Sequence, residues 1–229
     1  MADSAGEGGV AVERGVGYGA GKLADVYRPR HEDRPAPLAL LWHGVGPDDR
    51  GALRPLATAV AGLGVIAVVP DWRSDAPDGG RAHLLASLDF TRERAADGGS
   101  FVLVGWSRGG RMATSLALNP AVAGGWRPAA VVCLAVGFYQ ATPMSPAGRN
   151  PIDDLAATGA EPVPFRLVHG TRDTVIGIRE SRDFAAAAAR QGWPVQLAEP
   201  GTDHGGVVLT TPTGAGLLSA RVIAGAALG

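Results

Sequence analysis

Short apolar runs separated by stretches of helical spacing constrain this chain more than any other feature. Leu38-Ala-Leu-Leu-Trp42, Val65-Ile-Ala-Val-Val69, Phe101-Val-Leu-Val104 and the run from Ala130 to Val136 carry no polar residue on either face. Strands of this kind are buried on both sides, the condition of a parallel sheet covered by helices. Helices are predicted between them. One runs from Leu53 to Leu63 and ends at Gly64; one runs from Arg81 to Ala96 with Gly98-Gly99 after it; a third runs from Ser107 to Leu118 and stops at Asn119-Pro120. Phe165–Val168 and Val195–Ala198 read as two more strands on either side of a helix from about Ile178 to Arg190, and a terminal helix is predicted from about Gly214 to Leu228. Val10 to Tyr27, broken by glycines at 15, 17, 19 and 21, fits short edge strands joined by a hairpin, and Arg28 to Pro37 a proline-bearing loop. The expected architecture is a three-layer α/β/α sandwich with a mostly parallel central sheet.

At 229 residues the chain suits one hydrophobic core rather than two. The small, polar residues 1–9 read as a disordered tail, and 10–229 as a single domain. Residues 137–164 break the alternation, with prolines at 143, 146, 151, 162 and 164. Within them Asn150 is placed to cap a short helix that has Pro151 at its first position and ends by Gly159. Such an excursion between two strands is a candidate lid or pocket wall.

A formal net charge of −1 leaves no electrostatic footprint for nucleic acid or an anionic membrane surface. The single cysteine, Cys133, allows no intrachain disulfide and no cysteine metal cluster, and its apolar run predicts a small buried side chain. The first residues lack the basic and apolar regions of a signal peptide, and no apolar stretch reaches about 18 residues. A cytoplasmic location is therefore expected.

Gly105-Trp-Ser-Arg-Gly-Gly110 follows a predicted strand and opens a predicted helix. A Gly-x-Ser-x-Gly turn in that setting holds its serine on a sharp bend, with the hydroxyl exposed at the top of the sheet. The helix N-terminus beneath it favours negative charge developing nearby. Taken alone, the same pattern also suits a glycine-rich turn that binds phosphate. A nucleophilic Ser107 needs a base, and five histidines are available: 31, 43, 83, 169 and 204. His204 lies in the loop Gly201-Thr-Asp-His-Gly-Gly206, after the last strand and among glycines that allow an exposed imidazole. Asp173 follows the strand Phe165–Val168 and precedes His204 by one helix and one strand, in the chain order Ser, Asp, His. Asp153, Asp154 and Asp203 are lesser candidates for the acid. A second reading of Asp173 is the N-cap of the next helix.

The tetrahedral intermediate of acyl transfer needs two backbone N–H donors. Arg108, next to the serine, and Val45, in the turn His43-Gly-Val-Gly46 after the first buried strand, are the candidates. From about Val10 onward the chain resembles the α/β-hydrolase superfamily, in which it is similar to compact esterases and dienelactone-hydrolase-like enzymes. The resemblance rests on the His-Gly-x-Gly turn, the Gly-Trp-Ser-Arg-Gly elbow, the late aspartate and the late His-Gly, all in family order. Two places depart from better-known patterns. The turn is His-Gly-Val-Gly rather than His-Gly-Gly-Gly, and Trp106 stands where many lipases carry histidine.

The resemblance implies a serine hydrolase acting on small-to-medium carboxylic esters with Ser107, Asp173 and His204. It implies no metal and no organic cofactor. An amidase, arylformamidase or peptidase on the same residues is the alternative, and a non-catalytic binding protein of the same fold a further one. A neutral base predicts activity that rises with pH through roughly 6–7. Trp72, Trp106, Phe138, Tyr139 and Met144 are candidates to line the pocket or to pack. Arg108 and Arg111 are candidates to attract an anionic substrate, with surface placement their ordinary outcome. A homodimer through a sheet edge or the terminal helix is compatible with the chain.

Overall fold

The computed structural model describes residues 9–30, 35–95, 99–209 and 214–229. Most of the expected tail, the centre of the expected loop (including His31), and Ala96 and Gly98 at the end of an expected helix lie outside the described residues. Among the described residues eight strands form one sheet: β1 (Val10–Tyr18), β2 (Lys22–Pro29), β3 (Leu38–Trp42), β4 (Ile66–Pro70), β5 (Val102–Trp106), β6 (Ala130–Leu134), β7 (Phe165–Val168) and β8 (Val195–Ala198). Their order is β1-β2-β4-β3-β5-β6-β7-β8. β1 and β2 form the expected antiparallel hairpin, and β2 runs antiparallel to β4. Every pairing from β4 through β3 to β8 is parallel.

The apolar runs are explained by what each face meets. In β3, Leu38, Leu40 and Trp42 enter one core while Ala39 and Leu41 enter the other, and β4, β5 and β6 divide their side chains in the same way. The first core is closed by helices α2 (Arg81–Arg92), α3 (Arg108–Leu118) and α5 (Arg179–Arg190), through Leu84, Leu88, Met112, Leu116 and Phe184. The second is closed by α1 (Arg54–Gly62) and α6 (Ala215–Leu228), through Leu56, Val60, Ala220 and Ile223. Each fully buried Val, Leu, Ile, Met or Phe among them contributes about 1.5–3 kcal/mol. The result is a three-layer sandwich with helices on both faces of a mostly parallel sheet.

The helix expected at 81–96 ends sooner, at Arg92, where Glu93 and Ala95 turn back onto the carbonyls of Asp89 and Thr91. Within 137–164 the short helix α4 (Pro151–Ala157) carries the expected cap: Asn150 Oδ1 accepts the Asp153 amide at 2.9 Å. Cys133 is buried as expected, and burial pushes its thiol up to about 12. Among the described residues no helix is long and apolar enough to cross a membrane.

Candidate active site

β5 ends in the turn that carries Ser107. Its backbone sits at φ 53° and ψ −119°, a sparsely populated region for any residue with a side chain. The bend is held by the Ser107 amide, which donates to the Leu134 carbonyl at 2.8 Å. Two glycines make it sterically feasible. A Cβ on Gly105 would lie 2.2 Å from the Gly110 amide nitrogen, and one on Gly109 would lie 2.4 Å from the carbonyl oxygens of Trp42 and His43. The glycines thus let α3 start in contact with β5 and with the end of β3.

The turn after β3 lies against this elbow. A Cβ on Gly44 would come within 3.2 Å of the Trp106 ring and 3.5 Å of Ser107 Cβ. Neighbouring Val45 projects into solvent, and neither its amide nor that of Arg108 has an acceptor among the described residues. Both are therefore free to donate. The loop is held from below by His43, which is completely buried. His43 Nδ1 donates to the Gly44 carbonyl at 3.0 Å, and Nε2 accepts the amides of Asp49 at 3.1 Å and Trp72 at 3.3 Å. Burial holds its pKa below the ordinary histidine value. Arg50 fastens the far end of the loop to Asp25 at 3.0 Å and to Asp71. His43 is therefore structural, and the pattern of bonds it makes assigns it the neutral Nδ1–H tautomer.

Asp173 follows β7, and its side chain is fully buried. Oδ1 accepts the amides of Val175 at 2.8 Å and Ile176 at 2.9 Å, while Oδ2 accepts from His204 Nδ1 at 2.7 Å. Burial alone would push this carboxyl up. The Ile176 amide, the His204 imidazole and the Val175 amide outweigh that and hold its pKa below the usual carboxylate value. The loops bearing Asp173 and His204 are strapped together: Thr171 donates to the Pro200 carbonyl and Arg172 to that of Thr202, each at 2.9 Å. A Cβ on Gly170 would strike the Thr202 oxygen at 2.2 Å. His204 has 15% of its side chain exposed.

The structure thus brings Asp173 and His204 into direct contact. Ser107 is joined to His204 through its neighbour Trp106, whose Nε1 donates to the His204 carbonyl at 3.1 Å and whose ring lies 5.5 Å from the imidazole. Among the described residues no hydrogen bond joins the Ser107 hydroxyl to His204. The other acids are engaged elsewhere. Asp203 accepts the Gly206 amide at 2.8 Å, and Asp153 is bound to Asn150. Asp154 is buried, accepting from Ser145, Asn119 and Ser115 at 2.8, 2.9 and 3.2 Å.

Three of the five aromatic or methionine candidates for the pocket are fully buried packing residues: Trp72, Phe138 and Met144. Phe138 stacks on Phe184 with centroids 4.2 Å apart, and Trp72 lies 5.3 Å from the His43 ring. Tyr139 is half-exposed and donates to Asp183 at 2.8 Å. Arg111 is a clearer departure, because it is buried rather than on the surface. His169, unassigned from sequence, is buried beside the acid, with Nε2 3.2 Å from Asp173 Oδ2. The signal for it was its place at the end of β7, four residues before Asp173. Among the described residues no cluster of histidine, cysteine or carboxylate side chains could hold a metal ion.

Neither a known family model nor a curated protein matches this sequence. Solved structures do match its fold. A mutant of the esterase rPPE, complexed with (S)-Ac-CPA, superposes with a TM-score of 0.75 at 17% identity, covering 99% of this chain and 86% of that one. The esterase Est2 of Thermogutta terrifontis gives a TM-score of 0.72 at 18% identity, covering 95% and 90%. A candidate dienelactone hydrolase from Klebsiella pneumoniae gives 0.66 at 18% identity, covering 90% and 92%. The chain has the α/β-hydrolase fold.

Proposed function

We propose that this protein is a serine hydrolase that cleaves small-to-medium carboxylic esters through an acyl-enzyme on Ser107. The observation that carries the reading is the 2.7 Å bond from His204 Nδ1 to a buried, ionised Asp173, on a loop tied through Trp106 to a serine held in a strained turn. A buried carboxylate at Nδ1 orients the imidazole with Nε2 available as base and stabilises the imidazolium that forms.

In the first half-reaction His204 Nε2 takes the Ser107 proton while Oγ attacks the ester carbonyl. The amides of Val45 and Arg108 hold the oxyanion, aided by the N-terminus of α3. The imidazolium then gives its proton to the departing alcohol. In the second half-reaction His204 deprotonates water, the water attacks the acyl carbon, and the proton returns to Ser107 as the acid leaves. The esterase neighbours favour an ester over an amide substrate. Residues 137–164 would supply the wall beside this site, and they are fastened in place: the Phe138 amide donates to Glu180 at 2.7 Å, and Asp154 accepts from Ser115 and Asn119 at the far end of α3.

A fluorophosphonate probe on wild type, Ser107→Ala and His204→Ala tests this reading. Wild type should label, both variants should not, and matched ester and amide substrates should show the ester turned over faster. A folded wild type that resists the probe and hydrolyses no ester would overturn the proposal.

A further inference from the structure

Arg111 occupies the first turn of α3, four residues after Ser107, and is only 9% exposed. A guanidinium offers five N–H donors in a fixed fork. Here none is used. Nε is enclosed without a partner, and among the described residues the two terminal nitrogens, which reach solvent, make neither a hydrogen bond nor an ion pair. The guanidinium is thus held in a largely enclosed position with its terminal donors open to solvent and to a ligand that reaches them.

Helical side chains lean back toward the helix N-terminus, which on α3 is the end that carries Ser107. Arg108, three residues earlier, and Ser115, four later, share its side of the helix. Ser115 meets Asp154 of α4, so this side of α3 is the one under the 137–164 segment. The charges that act on Arg111 are Arg108, which repels it, and Glu180 at the start of α5, which attracts it. Glu180 forms no ion pair with Arg111. Its Oε2 is occupied by the amides of Phe138 at 2.7 Å and Tyr139 at 3.3 Å.

We infer that Arg111 is a specificity-determining residue that receives the free carboxylate of a substrate carrying an ionised carboxyl group besides its scissile ester. A planar, singly charged carboxylate matches one guanidinium fork. A phosphate dianion would bring a second negative charge toward Glu180. The inference rests on the hydrolase reading above and narrows its substrate class.

The test compares two matched pairs of esters: 4-nitrophenyl hydrogen adipate with 4-nitrophenyl hexanoate, and 3-acetoxybenzoate with phenyl acetate. Wild type should favour the anionic member of at least one pair by tenfold or more in kcat/KM, less so at high salt. Adipate should inhibit competitively where hexanamide does not. Arg111→Gln should collapse the anionic-to-neutral ratio, and Arg111→Lys should recover part of it. If neutral esters are hydrolysed and Ser107 takes the fluorophosphonate, but wild type shows a ratio near one and no inhibition by adipate, the inference fails while the hydrolase reading stands. If the probe and all esters fail, adipate binding by thermal shift decides it: a shift in wild type that Arg111→Gln lacks supports the inference, and no shift in wild type overturns it. The wild-type measurements need no folded variant.

Discussion

His169 Nε2 lies 3.2 Å from Asp173 Oδ2, the same oxygen that accepts from His204. Nε2 also faces the Ile176 carbonyl at 2.9 Å, so it carries the proton, and Nδ1 accepts the Ser181 hydroxyl at 2.7 Å. The acid between two imidazoles is therefore supplied with an N–H from each side. His169→Phe removes one of them and should lower kcat/KM on a neutral ester about fivefold, the worth of one modest hydrogen bond. Ser181→Ala should lower it less. An unchanged kcat/KM in a folded His169→Phe would reduce His169 to a packing residue.

His43 predicts an acid-sensitive fold. Its pKa is depressed by burial, whereas the unfolded chain titrates near 6.5. Below that pH the unfolded state takes up a proton that the folded state does not, so stability is complete above about 6.5 and falls as pH drops toward the lower folded value. The melting temperature should decline between pH 7 and 5, with a contribution from this residue of up to about 1.4 kcal/mol per pH unit that His43→Gln lacks. Parallel profiles for the two proteins would contradict the assignment.

Ser107→Gly should be more stable than Ser107→Ala by about 1 kcal/mol. Both variants lose the hydroxyl, but only glycine relaxes in a backbone at φ 53° and ψ −119°. Neither should label with fluorophosphonate. Equal melting temperatures would show that the elbow stores no strain.

Asp154 holds α4, α3 and Ser145 together through three donors. Asp154→Ala strands those donors in a buried site and should cost about 3 kcal/mol in denaturant unfolding, with Asp154→Asn costing less. A loss below about 1 kcal/mol would mean the 137–164 segment is fastened by its apolar contacts instead.

The strands were legible where both faces are covered. β3 begins and ends where its apolar run does, because its burial is continuous along the chain; β7 and β8 keep their expected bounds too, although Arg166 and Gln196 interrupt the apolar pattern and β8 is only half-buried at the sheet edge. The order of the strands was not legible, since β3 lies between β4 and β5 and no local pattern states which run pairs with which. The candidate site followed a similar division. Ser107, Asp173 and His204 each sit just past a strand end, where a parallel sheet gathers its loops. The burial of Arg111, read from sequence as a candidate to attract an anionic substrate with surface placement its ordinary outcome, and the contact of His169, read only as one of five histidines, were not legible, because their surroundings come from remote segments. Which side of α3 is covered depends on the path of residues 137–164, and the contact of His169 depends on the loop after β7 folding back over it.

The indole of Trp106 is bound to the carbonyl of a residue 98 positions later. That single bond spans most of the second half of the chain, and the imidazole it steadies arrives only on the loop after β8. In the proposed machinery, a polypeptide still emerging from the ribosome, or one clipped before its final loop, would carry the serine without anything to awaken it. Reactivity would switch on with the docking of the last segment, which guards an unfinished molecule against random acylation.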